Sequence, residues 1–288
     1  MRRLNLFHLV LLTPAQTLVT LMLAAPAFYV FWLSLTTSSY GLNPQFVGLD
    51  NYINVLSDKH FWTASWNTFL IVNVVVYIEL ALAFGMAVLV ASLKKGRMLI
   101  FALILVPYAI SEVVGVLAWR FLADPNIGLV TQAFAAFGIT FNWTRNVIDA
   151  LTLICTISIW QHLPFTFVII YAAVISVPRD LYEAARVDGA NGWQQTWNIT
   201  IPLIVPAATL AIVFRYIFAF RMFSEVWLVT KGGPVRLTEV LGTYLYRTGF
   251  TFADFGGAAA TGWLMVLGAL LLSVFYLRSM YRKSFSNE

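Results

Sequence analysis

Charge is scarce in this 288-residue chain. Only 11% of its residues are Asp, Glu, Lys or Arg, against about 25% in an ordinary soluble domain. Hydrophobic residues make up 60%, and the mean hydropathy is +0.80. Those values exclude a soluble globular domain and describe a polytopic membrane protein. Cysteine is nearly missing: the single Cys155 lies inside an apolar run, so no intramolecular disulfide can form. No Cys/His cluster has metal-ligand spacing. No Gly-Lys pair occurs anywhere, which rules out the phosphate-cradling Gly-x-x-x-x-Gly-Lys-Ser/Thr loop. No nucleophile–base arrangement suggests enzymatic turnover. The chain shows no internal repeat or low-complexity segment.

What is abundant is apolar sequence long enough to cross about 30 Å of hydrocarbon. Such runs lie near Leu9–Leu35, Thr68–Leu93, Met98–Leu122, Val147–Val177, Ala207–Thr230 and Ala258–Leu277. Arg2-Arg3 before the first run, with Ala25-Pro26-Ala27 inside it as a cleavage-like site, resembles a secretory signal. The run continues to Leu35, beyond a signal's apolar region, so we read an uncleaved helix. Six spans put both termini on one side. Basic residues set the orientation. Arg2, Arg3, Lys94, Lys95, Arg97, Arg179, Arg186, Arg278, Arg282 and Lys283 fall on one side; Lys59, Arg145, Lys231, Arg236 and Arg247 fall on the other. Cytoplasmic loops are enriched in Lys and Arg, so the side with ten of these faces the cytoplasm, termini included.

On that side, between two apolar runs, lies the one long segment that reads as a water-facing element, Pro178 to Pro206. Pro178 presets a helix start, and Asp180 and Glu183 are expected in its first turn, at the positive end of the helix dipole. Ala184 and Ala185 leave a face that another protein can approach closely. Gly189 and Gly192 break the helix around an Ala190-Asn191 turn, and Trp193–Ile201 is expected to form a second short helix that Pro202 ends.

The order Glu183-Ala184-Ala185, three residues, Gly189, nine residues, Ile199, one residue, Ile201-Pro202 resembles the EAA motif of binding-protein-dependent ABC importer permeases. The motif usually ends Leu-Pro; Ile201 is a conservative departure. Tyr182 to Ala190 resembles the carbohydrate-uptake branch in particular. Phe46-x-Gly48-Leu49-x-Asn51-Tyr52 is similar to the loop after the first core helix of sugar permeases, although a structural turn explains it equally well. Gly232-Gly233-Pro234, Thr238 and Tyr244-x-Tyr246 resemble the external loop of the sugar-permease subunit that pairs with a distinct second permease.

The resemblance implies an all-α integral membrane fold over residues 1–288, with six transmembrane helices and a coupling loop, 178–206, between helices 4 and 5. It implies a multi-pass protein of a bacterial or archaeal plasma membrane. The expected partners are a second permease subunit as a heterodimer, two ATP-binding ABC subunits, an extracytoplasmic solute-binding protein and membrane lipid, with no nucleic acid. ATP and Mg would be bound by partner subunits, and this chain would hold no cofactor. Glu183, Ala184, Ala185, Asp188 and Gly189 would form the coupling element to the ATPases.

Charges inside spans are costly and mark protein interiors or wet cavities. Glu79 in the second span serves either as helix glue or as a cavity group. Pro107-Tyr108 marks a bend in the third span, where Arg120 and Asp124 are spaced to pair. His162, beside Pro164, reads as a helix-packing hydrogen bonder. In the fifth span Arg215, Phe218, Met222 and Glu225 would share one face, with Arg221 four residues before Glu225. With Tyr216, flat rings for the apolar side of a sugar, these residues and Glu79 are the candidates for a solute pathway. The small-xxx-small pair Ala258 and Gly262 suffices for helix packing. A secondary carrier, a non-transporting scaffold and a sugar-phosphate importer are the competing readings.

Overall fold

A computed structural model describes the backbone of residues 6–40 and 43–285 and the side chains of 13–40, 43–274 and Arg278. Arg2 and Arg3, and the side chains of Arg282 and Lys283, lie outside the described residues. Among the described residues the regular structure is helical apart from a two-residue antiparallel ladder, β1 (Thr36–Thr37) with β2 (Gln45–Phe46).

Among the described residues, five helical stretches are long and apolar enough to cross a membrane: Thr13–Ser34, Lys59–Ser92, Val147–Ser176, Gly192–Ala219 and Phe255–Val274. They belong to α1 (Leu6–Ser34), α3 (Lys59–Ser92), α7 (Val147–Ser176), the run of α9 (Gly192–Gln195) into α10 (Ile201–Ala219), and α13 (Phe255–Phe285). The sixth is broken. α4 (Arg97–Ala109) and α5 (Glu112–Leu122) meet at 94°. Pro107 weakens the helix, and Ile110 and Ser111 adopt extended backbone angles between the two halves. Short helices α2 (Asp50–Ser57), α6 (Leu129–Ala136), α8 (Arg179–Val187), α11 (Ser224–Val229) and α12 (Leu241–Tyr246) connect them.

Two compact units are distinguishable. In the first, the described residues up to Phe61 pack with Leu245–Leu264. Here Asn51 donates to the carbonyls of Ser34 (2.8 Å) and Thr36 (2.9 Å), and the Tyr52 hydroxyl meets that of Ser34 at 2.7 Å. The polar end of the Gly-Leu-x-Asn-Tyr segment thus satisfies carbonyls that α1 leaves open. Gly256 is required beside it, because a Cβ there would run into the Thr36 carbonyl and the Asn51 amide.

The second unit is Trp62–Tyr244 with the helix from Met265 onward. One apolar core gathers Ile71 and Val75 of α3, Val116 of α5, Ile154 and Ile157 of α7, and Val226 of α11. Another, further along α3 and α7, gathers Ala83, Ala87, Phe167, Ile170 and Ala211 of α10. The loop after α11 is pinned to α3: Asn67 donates to the carbonyls of Leu237 and Glu239 at 2.8 and 2.9 Å, and Thr238 Oγ1 donates to the Gly233 carbonyl at 2.6 Å.

Three sequence expectations need correction. The fifth span occupies Gly192–Ala219 rather than Ala207–Thr230, because Pro202 does not end a helix there. A π-helical turn, Thr196–Thr200, widens the chain so that Ile201 bonds back five residues to Thr196, and the run continues through Pro202. Arg120 and Asp124 do not pair, since α5 stops at Leu122. Asp124 instead accepts from the amides of Asn126 and Ile127, while Arg120 donates to the Leu228 carbonyl. Glu183 sits one turn deeper than the first turn of α8, which starts at Arg179, and faces Arg186 at 3.9 Å.

Candidate functional site

The chain breaks where its membrane charges concentrate. α10 ends at Ala219 and α11 begins at Ser224, so Phe220–Phe223 form a bend rather than a helical face. Arg215, Phe218, Met222 and Glu225 therefore do not lie on one helix, as their spacing suggested. Two broken segments, this bend and the 94° corner of α4 and α5, face α7 across a cavity of 330 Å³. Arg215, Phe218, Arg221, Met222 and Glu225 line it, together with Tyr108, Glu112, Ser158, His162 and Phe165.

Gln161 explains how the corner survives inside a membrane protein. Its amide nitrogen donates to the carbonyls of Ile110 (2.9 Å) and of Pro107 (2.7 Å), the latter held otherwise only by the long 3.3 Å cap bond from the Ile110 amide. Gly115 admits that side chain, since a Cβ there would lie 2.6 Å from Gln161 Oε1. Gly242 does the same for the other bend, because a Cβ would meet the Met222 carbonyl.

Arg215 is 2% exposed and Glu79 is fully buried. The guanidinium donates through Nε to Glu79 Oε2 at 2.6 Å and through Nη2 to Oε1 at 2.7 Å. This fork-to-fork geometry is the strongest form of the pair and the one that survives burial. Thr166 adds a weaker contact to Oε2 at 3.4 Å. Glu79 therefore stands behind the cavity wall and holds Arg215 in it. Tyr216 is also outside the lining. It is buried against Val72 and Val76 of α3, and its hydroxyl donates to Asn73 at 2.5 Å.

Opposite Arg215, Glu225 is 2% exposed, and its Oε2 has no hydrogen-bond partner. Glu112 lies close enough for the two carboxyl groups to interact. His162 places Nδ1 3.0 Å from the Ser158 carbonyl. Aromatic rings form one flank: Phe165 contacts Tyr108 at 6.3 Å and Phe218 at 5.9 Å between centroids. Ser158 and Phe165 are not foreseen from the sequence, which reads Tyr108 only as part of a bend and His162 only as a helix-packing group, although both line the cavity. Tyr108 and Phe165 each follow a proline, Pro107 and Pro164, and those breaks are the signal that could have found them.

The second predicted set lies on α8. Gly189, at φ +81°, ends that helix in a Schellman arrangement: its own amide bonds to the Arg186 carbonyl and the Ala190 amide to that of Ala185. A Cβ at Gly189 would meet nothing within 4 Å, so its conformation and not crowding demands glycine. Asn191 then starts α9 with a reciprocal capping box to Gln194. Tyr182 bonds Thr200 at 2.8 Å and ties α8 to the π-helical turn. Glu183, Ala184 and Asp188 are exposed and Ala185 is half-buried. Unforeseen beside them are bare apolar side chains, Val187 at 88% exposure and Trp193 at 71%.

Comparison with known proteins agrees over nearly the full length. Residues 5–282 match the family model described as "Binding-protein-dependent transport system inner membrane component". The sn-glycerol-3-phosphate transport system permease protein UgpA of Yersinia pestis bv. Antiqua is 32% identical over 275 residues, covering 95% of this chain and 93% of that protein. The protein of the same name from Escherichia coli O6:K15:H31 is 33% identical over 270 residues, covering 93% and 92%. Among solved structures, a chain of a bacterial alginate ABC transporter in complex with an alginate pentasaccharide-bound periplasmic protein shares the fold. Its TM-score is 0.84 at 22% identity, covering 96% of this chain and 94% of that one. A chain lacking any nucleotide-binding loop, with broken membrane helices around a polar cavity and a glycine-ended Glu-Ala-Ala helix beyond them, belongs to the inner-membrane permease components of binding-protein-dependent ABC importers, whose ATPase is a separate subunit.

Proposed function

We propose that this permease passes a sugar or related polyhydroxylated solute through the cavity between α7 and the two broken segments. An external binding protein delivers the solute, and two ABC subunits hydrolyse ATP with their own Mg. The observation that carries the reading is the cavity itself. Irregular backbone at membrane depth is tolerated where it is buried in protein or lines a wet pathway. Here it brings Arg, Glu, His, Ser and Tyr side chains beside the rings of Phe165 and Phe218. Hydroxyl groups both donate and accept, which suits such a lining, and the apolar face of a sugar ring suits the aromatic flank.

Residues 1–288 act as one permease domain beside a distinct second permease, with both termini in the cytoplasm. The 178–206 loop is the coupling element, with Glu183, Ala184, Ala185, Asp188 and Gly189 at its contact with the ATPase. Closure of the ATPases moves α8 as a rigid lever, and the cavity changes the side on which it opens. A phosphorylated or acidic sugar is the second reading, favoured by the names of the relatives.

Phe218→Cys, in a chain with Cys155→Ser, tests the pathway. A small water-borne thiol reagent is expected to modify it in the assembled complex and to block ATP-driven uptake. A cysteine there that reacts while uptake continues unchanged would remove Phe218 and its cavity from the pathway.

A further inference from the structure

The two anionic relatives and the cavity's own charges point in different directions. Arg215 would be the natural anion ligand, since a guanidinium fork matches phosphate and carboxylate geometry. Its fork is already closed on Glu79, with two hydrogen bonds of 2.6 and 2.7 Å, so the pair contributes no net charge to the cavity. Of the remaining charged lining, Arg221 is the one cation with no ion-pair partner among the described residues, and Glu112 and Glu225 are two carboxyl groups. With both ionised, the lining carries a surplus negative charge; with one proton shared between them, it is balanced. Neither state is a basic pocket.

Hydrogen-bonding capacity leans the same way. Glu225 Oε2 is buried with the Glu112 carboxyl as its neighbour, and when both carboxyls are ionised it is an acceptor that no donor reaches. The His162 Nδ1 beside the Ser158 carbonyl must carry the proton of that contact, so this nitrogen offers a solute no lone pair. With both carboxyls ionised, Glu225 Oε2 is thus an open acceptor in the cavity lining. A hydroxyl donates to it, whereas a phosphate or carboxylate oxygen has no proton to give and is repelled by the carboxylates.

Resting on the assignment of this cavity to the solute pathway, we infer that the permease selects an uncharged, hydroxyl-rich solute and discriminates against anions, with Glu225 Oε2 as an acceptor for a solute hydroxyl and Glu79 as the positioning residue that cancels Arg215.

The test is ATP-driven uptake by the complete transporter, with its ATPase subunits and binding protein, in proteoliposomes. Radiolabelled sorbitol, glucose and maltose are the neutral probes; sn-glycerol-3-phosphate and alginate oligosaccharide are the anionic ones. The expected result is uptake confined to one or more neutral probes. Glu225→Ala should lose at least tenfold in uptake, and Glu225→Gln less than threefold, because its amide oxygen still accepts. Uptake of either anion by the unaltered protein overturns the inference and leaves the importer reading standing. Equal uptake of a neutral probe with Glu225 and with Glu225→Ala overturns the role of Glu225. If an assembled, ATP-hydrolysing transporter moves none of the five, the polyhydroxyl reading itself falls, and this inference with it.

Discussion

Arg215 and Glu79, 136 residues apart in sequence, close on each other in a two-pronged ion pair that has almost no contact with water. The pair joins α3 to α10 at the wall of the cavity, so one interaction serves both assembly of the helices and the charge of that cavity. Burying two charges is expensive, and the fork is worthwhile only while both partners are present.

Removing one partner should therefore cost much more than removing both. Glu79→Ala strands a guanidinium in a buried site, a loss of about 3–5 kcal/mol. Glu79→Leu with Arg215→Met, two apolar residues of similar reach, should recover most of it. Thermal unfolding of the detergent-purified transporter, followed by fluorescence-detected gel filtration, compares the variants. Equal melting of Glu79→Ala and the double replacement would mean that the pair contributes little.

At Gly189 the expected series follows from φ +81° with open space around the missing Cβ. Left-handed backbone costs a non-glycine residue roughly 1–2 kcal/mol, and Asn tolerates it best. Uptake and ATPase association should fall in the order Gly, Asn, Ala, Val. If Asn and Val behave alike, conformation is not what the position requires.

Much of this architecture was legible before the structure, and the parts that were not share a cause. Composition and apolar run length fixed the membrane class, since the cost of burying charge in lipid leaves few alternatives. Gly189 announced the end of one helix, because a left-handed turn is local chemistry, whereas Gly192, expected to break a helix, opens α9 behind the Asn191 cap. The course through Pro202 was misread because the compensating π-helical turn lies upstream of the proline and carries no residue signature. Glu79 could not be matched to Arg215 by any local spacing, and Tyr216 was assigned to the cavity although its side of α10 packs on α3. Pairing between distant helices is a property of packing, and no period along one helix reports it.

Orientation admits a direct check, because the native Cys155 is buried and contributes little background. The count of ten basic residues against five predicts Asn191 in the cytoplasm and Gly233 outside. A membrane-impermeant maleimide applied to intact cells should label Gly233→Cys and leave Asn191→Cys unmodified until the membrane is permeabilised. The reverse pattern would invert the topology.

The apolar side chains on the α8–α9 surface define the last prediction. Val187 is 88% exposed, Trp193 71% and Trp197 52%, and the two indole rings meet edge-on at 5.5 Å. Single exposed apolar residues are ordinary, but a valine and two tryptophans within eleven residues, where α8 gives way to the first turns of the Gly192–Ala219 run, form a surface that a partner would bury. Bulky aromatic anchors commonly dominate such contacts. Glu183 and Arg186, both mostly exposed, are partnered loosely at 3.9 Å and would fall on the rim, where charges steer association more than they strengthen it. Trp193→Ala should therefore weaken binding of the ATPase subunits to the purified permease by about tenfold, about 1.4 kcal/mol. Glu183→Ala should change it less and mainly through the association rate, with a dependence on salt. Surface plasmon resonance on nanodisc-held permease separates the two effects. A Trp193→Ala variant that binds the ATPase as tightly as the unaltered protein would assign the tryptophans to the membrane surface instead, where indole rings also settle.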